Sequence, residues 1–172
     1  MLALDQVLID GKDTNMCGSE WGEKQCALIV DSGTSTFGIP TAFWEKWDST
    51  LNQIGNHQNV ESWPVVTFVI NGKDYDIGGD TYLMADGNIV NDVLKAEGSS
   101  SAYFTHGFQK FNAGYQEYEL FAAGDFFMSK WITVFDRDND RVGLVLPDME
   151  NIKRVQSMEV QSQNILNLPT DE

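Results

Sequence analysis

The chain has 172 residues, 42% of them hydrophobic, and its 11 basic and 26 acidic residues give a formal net charge of −15. This composition supports one ordinary folded domain and excludes pervasive disorder. It also argues against a nucleic-acid or anionic-membrane partner, because such surfaces need a basic stripe and no Lys/Arg cluster here exceeds two neighbours.

In chain order, Met1–Asp5 lacks a basic region followed by a long apolar run, so it does not read as a complete signal peptide. No segment approaches the ~18 apolar residues of a spanning helix. Leu4 to Ile9 alternates loosely and Asp10-Gly11-Lys12-Asp13 gives a turn. Ala27-Leu28-Ile29-Val30 is a continuous apolar run that Asp31-Ser32-Gly33 ends abruptly, the pattern of a buried strand meeting a tight turn. Pro40 to Trp47 predicts a short helix with Pro40 near its start. Trp63 to Ile70 and Lys73 to Ile77 predict a hairpin turned by Asn71-Gly72. Val90 to Ala96 predicts another short helix and Gly98 to Ser101 a loop. Glu119 to Ala123 runs into Gly124-Asp125, and two strands, Trp131 to Phe135 and Arg141 to Leu146, flank a polar turn at Asp136 to Asp140. Many strands with few short helices predict a mostly-β fold. Pro147 marks the end of this unit, 1–147. The polar extension 148–172 reads either as a helix capped by Asp148, with Met149, Ile152 and Val155 on one face, or as a solvated tail.

Cys17 and Cys26 have eight residues between them in a polar, Gly-rich stretch. Two thiols without further nearby ligands do not make a closed zinc site. A local disulfide in an oxidising compartment is the favoured reading, with a pair of free thiols as the alternative. His57 and His106 read as surface loop residues, Trp44 and Trp47 as helix packing, and Asp136–Asp140 as a polar turn, since it lacks the glycine and distal glutamate of a calcium loop. There is no Asn-x-Ser/Thr acceptor and no Gly-x-Ser-x-Gly elbow.

The sharpest feature is Asp31 itself. An acid directly after four apolar residues is costly unless it is hydrogen-bonded or has a task. Ser32, Gly33, Thr34 and Ser35 surround it with hydroxyls and backbone N–H groups able to stabilise its charged form. Alone, this pattern is also that of a plain turn. Together with Ala123-Gly124-Asp125, Val134-Phe135-Asp136-Arg137 through Val142-Gly143-Leu144, and Pro64 to Phe68 with Ile70-Asn71-Gly72-Lys73, the sequence resembles the pepsin family of aspartic proteases, specifically the C-terminal, cathepsin D-like lobe.

The resemblance covers 1–147 and implies one half of a bilobal β-barrel fold, with a small disulfide, Cys17–Cys26, ahead of the catalytic acid. It implies a two-carboxylate mechanism in which Asp31 is one member of the pair. By the same resemblance, Thr34 would brace the two catalytic loops, Ser35 would hydrogen-bond the carboxylate, and Gly33 would meet an extended substrate. Ser32, Ile29 and Ala122 would lie around the same cleft. Ala123, Gly124 and Asp125 would pass behind the catalytic loop, with Asp125 structural. Ala122 and Ala123 replace larger aliphatics, which implies a roomier pocket wall at Ala122.

No second Asp-Thr-Gly or Asp-Ser-Gly occurs, and Asp86-Gly87 lacks the hydroxyls that follow. The chain is therefore expected to need an N-terminal lobe of the same enzyme as partner, with a peptide or protein as substrate and no metal or organic cofactor. The implied location is lysosomal, vacuolar or secreted. Two alternatives stand beside this reading: a homodimer of the retroviral-protease kind, and an isolated lobe acting as a non-catalytic interaction module.

Overall fold

The computed structural model describes residues 1–17, 25–55, 59–85, 88–89, 104–113 and 117–148. The fold is mostly β, as expected. Two compact units are distinguished, one comprising Met1–Lys130 and a second beginning at Trp131.

The first unit is built on two sheets. Strands β1 (Leu2–Ala3), β4 (Gln25–Val30), β5 (Phe37–Pro40), β11 (Phe108–Phe111) and β12 (Tyr118–Ala123) form a five-stranded sheet in the order β1-β4-β12-β5-β11. Strands β2 (Gln6–Ile9), β3 (Lys12–Asp13), β6 (Val66–Ile70) and β7 (Lys73–Ile77) form a four-stranded sheet in the order β3-β2-β6-β7. All five residues of β6 are buried, as a strand paired on both sides and covered by a core requires. The turn between β6 and β7 has Asn71 and Gly72 at φ of 51° and 69°, and Asp10-Gly11 repeats this geometry at 48° and 70°. These left-handed pairs match the twist of a two-residue hairpin.

Phe37 on β5 and Phe68 on β6 stack at 6.0 Å, and Phe127 meets both rings edge-on. The three rings are fully buried and join the two sheets. A small third sheet contains β8 (Leu83–Ala85), β9 (Asn88–Ile89) and β10 (Phe104–His106).

Helix α1 runs from Trp44 to Ile54, later than the expected span from Pro40 to Trp47. Pro40 instead closes β5, beside Phe111 of β11. The helix extends because Trp47 and Leu51, one turn apart, are both fully buried, and their packing outweighs the weak helix propensity of Asp48-Ser49-Thr50. Two further helices, α2 (Gly79–Tyr82) and α3 (Asp125–Lys130), are short. Cys17 and Cys26 form the disulfide, tying the segment after β3 to the start of β4 with Cα atoms 5.4 Å apart.

In the second unit, β13 (Ile132–Asp136) and β14 (Arg141–Val145) form the expected antiparallel hairpin. Its turn is a single 3-10 turn, Arg137–Asn139, with Asp140 left-handed at φ 51°. The Asp136 carboxylate accepts from Asn139 Nδ2 and Arg141 Nε, which holds it below its ordinary range. Ile132, Val134, Phe135, Val145 and Leu146 are all largely exposed.

Among the described residues no helix is long and apolar enough to cross a membrane. The predicted helix at Val90 to Ala96, the loop Gly98 to Ser101, Asp86-Gly87, His57 and the extension beyond Asp148 lie outside the described residues. The other histidine departs from expectation: His106 is not on a surface loop but on β10, with its side chain 7% exposed.

Candidate active site

The site forms where β4 ends. Ala27 and Leu28 are buried between neighbouring strands, with β1 antiparallel on one side and β12 parallel on the other. β12 also pairs antiparallel with β5, so it lies between the strand that enters the Asp31 loop and the strand that leaves it. Residues 31–36 therefore arch over the end of β12 to reach β5.

Four backbone hydrogen bonds fasten that arch. Asp31 N–H donates to the Ala123 carbonyl (3.0 Å), Gly124 N–H to Thr36 (2.9 Å), Asp125 N–H to Thr34 (2.8 Å) and Phe126 N–H to Ser35 (3.1 Å). The approach is close enough to exclude a side chain at 124. A methyl group there would overlap the Thr34 carbonyl oxygen and lie 2.5 Å from that of Thr36. Ala123-Gly124-Asp125 thus runs behind the loop by main-chain contact. The bond from Phe126 left no mark in the sequence, because a backbone donor carries no residue signature.

Within the arch, each Asp31 carboxylate oxygen receives its own donor. Gly33 N–H bonds Oδ1 at 2.9 Å and the Thr34 hydroxyl bonds Oδ2 at 2.7 Å. Thr34 N–H also bonds the Asp31 carbonyl at 3.1 Å, closing the turn. The Thr34 hydroxyl foremost, and the Gly33 N–H after it, favour the charged form and hold the Asp31 carboxyl below its usual range. Asp31 is half-buried, while Ser32, Gly33 and Ser35 are exposed. The acid thus stands at the surface on a fixed backbone, ionised and with its orientation set.

Two expected side-chain roles change. The hydroxyl bonded to the carboxylate is that of Thr34, where Ser35 was expected, because Thr34 lies under the turn that its own N–H closes. Ala122 is 1% exposed, opposite Gly38 in register, and its methyl carbon would be 2.9 Å from any Cβ at that position. It fills the sheet interior rather than opening a wall. Ile29, its partner across the parallel pair, is half-buried.

Residues 2–146 match the family described as eukaryotic aspartyl protease. The chain belongs to the eukaryotic aspartyl protease family. Similar proteins include pepsin A of Sus scrofa, 28% identical over 83% of this chain and 34% of that protein. Chymosin of Camelus dromedarius is 32% identical over 82% of this chain and 33% of its own length. Cathepsin E of Aquarana catesbeiana is 31% identical over 69% and 28% respectively. The chain thus spans about a third of the length of the relatives it matches. It is a pepsin-like aspartic-protease domain, and its disulfide is consistent with an oxidising, extracytoplasmic compartment.

Proposed function

We propose that this chain is the C-terminal lobe of a pepsin-like endopeptidase and supplies one of its two catalytic carboxylates, Asp31. The observation that carries the reading is the hydrogen-bonded pose of Asp31: a surface carboxylate, each oxygen bonded from its own loop, on an arch pinned by Gly124 and its neighbours.

In the mechanism, an ionised carboxylate accepts a proton from a water molecule as the water oxygen attacks the scissile carbonyl. The opposing, protonated carboxyl gives its proton to the carbonyl oxygen, yielding a neutral tetrahedral diol. Collapse of the diol moves a proton to the departing nitrogen and breaks the C–N bond. Two close carboxylates resist joint ionisation, so the pair holds one proton between them. The partner is an N-terminal lobe with its own acid, the substrate an extended peptide, and the compartment lysosomal, vacuolar or secreted. The exposed apolar side chains of the β13–β14 hairpin are in keeping with a surface that a second lobe covers.

The test is a pepstatin-sensitive peptidase assay at about pH 3–5. The chain alone should be inactive, and joining it to an N-terminal lobe carrying its own Asp-Thr-Gly should produce activity that Asp31→Ala abolishes. Activity unaffected by Asp31→Ala would remove the assignment. Activity of the chain alone, rising with the square of its concentration, would instead indicate two copies pairing their Asp31 residues.

A further inference from the structure

The buried histidine lies outside the proposed catalytic machinery. His106 sits on β10 in a socket of aromatic rings, with Trp44 of α1 at 6.1 Å, Trp63 at 6.2 Å and Phe108 of β11 at 5.8 Å between centroids. β8 places Leu83 opposite it in register. The ring touches a charge at one point, where Nε2 lies 3.0 Å from Asp48 Oδ1 on α1. Its other nitrogen, Nδ1, is buried and makes no hydrogen bond among the described residues. Glu45 and Lys46 of α1, Glu61 of the 3-10 turn Val60–Ser62 and Lys110 of β11 are exposed, leaving Asp48 as the counter-charge to the ring among the described residues.

We propose that His106 and Asp48 form an acid-sensitive latch between β10 and α1. The neutral imidazole fits the aromatic socket and bonds the helix through Nε2–H. A second proton puts a full charge among four largely apolar walls, with the carboxylate of Asp48 at the rim as its counter-charge, and the α1 side of the socket loosens. Burial is the dominant influence on the ring and opposes protonation, while Asp48 and the backbone of His106 and Phe108 work the other way. A group whose folded form resists the proton stabilises the fold above the unfolded midpoint of about 6.5, and that stability is lost as the pH falls through the folded midpoint. The latch does not depend on the catalytic reading, since no residue of the Asp31 loop takes part.

The experiment is a proton NMR titration of the His106 Cε1–H in the 172-residue chain between about pH 7.5 and 5, a range above ordinary carboxylate titration. His57→Gln assigns the signal. The midpoint should fall below about 6.5, and Asp48→Asn should lower it further. Amide exchange in α1 should quicken on acidification more than in β6. The melting temperature of the parent chain should drop over this range, and that of His106→Gln, which keeps a donor for Asp48 but takes no proton, should drop less. A midpoint at or above the ordinary histidine value, or parallel melting curves for parent and His106→Gln, would overturn the latch. Should His106→Gln not fold, the titration with Asp48→Asn decides alone.

Discussion

At the scale of single residues, Asp31 illustrates how a short turn can set the protonation of an acid. The Thr34 hydroxyl and Gly33 N–H bond the charged form, so the folded carboxyl lies below its unfolded value of 3.8. The resulting stability is present above that value and is lost as the pH falls through the lower folded one. Thr34→Val should therefore raise the Asp31 midpoint, and Thr34→Ser should keep it low. A carboxyl-carbon NMR titration of the chain reads both directly. Under the proposed pairing with a second lobe, Thr34→Val should move the acid limb of the pH–rate profile upward. Tyr82 offers a second case at this scale. Its buried hydroxyl donates to the Pro64 carbonyl at 2.6 Å, so Tyr82→Phe leaves that carbonyl unanswered and should cost about 1–3 kcal/mol by denaturant melts.

At the scale of elements, the arch over β12 depends on backbone approach more than on side chains. Gly124→Ala drives a methyl group into the carbonyls of Thr34 and Thr36. Neither carbonyl can swing away without releasing the Asp31 loop, so the cost should reach about 3 kcal/mol, the upper part of the usual overpacking range. Gly143→Ala in the β13–β14 hairpin is the contrast, because its methyl would meet Val134 Cβ at an ordinary 3.6 Å. Thermal melts of the two variants should differ clearly. The disulfide works on the segment leading into β4. Closing a loop of this length should stabilise the fold by roughly 2–3 kcal/mol in the chain-entropy view. Cys17→Ala with Cys26→Ala should lower the melting temperature accordingly, without moving the Asp31 midpoint.

At the scale of the first compact unit, stability rests on aromatic packing between the two sheets. Phe37 touches Phe68, Phe108, Phe126 and Phe127, and directly follows Thr36, the last residue of the Asp31 loop. The core and the site are thus joined through one side chain. Phe37→Ala should cost about 3–5 kcal/mol, and amide exchange in residues 31–36 should quicken with it. Faster exchange confined to β6, with the loop unaffected, would separate the two.

The linear order of residues was enough for the mostly-β class, the Asn71-Gly72 hairpin, the Asp136–Asp140 turn and an Asp31 whose neighbours bond its charged form. Each is a local property: a left-handed turn pair, a polar break between apolar runs, or an acid after a buried strand. The Gly38 and Pro40 of β5 hid that strand, because both are poor strand formers. Only the pairing with β11 and β12 makes it one. His106 was misread for a related reason. Phe104, His106 and Phe108 alternate, but a period of two does not say which side of a sheet is covered. The same limit applied to Ala122, whose methyl is buried by a neighbour more than eighty positions away in the chain. Which hydroxyl meets Asp31, which glycine must have no side chain, and which histidine is buried were all decided by tertiary contact, because distances across the fold are set by packing that no local pattern encodes.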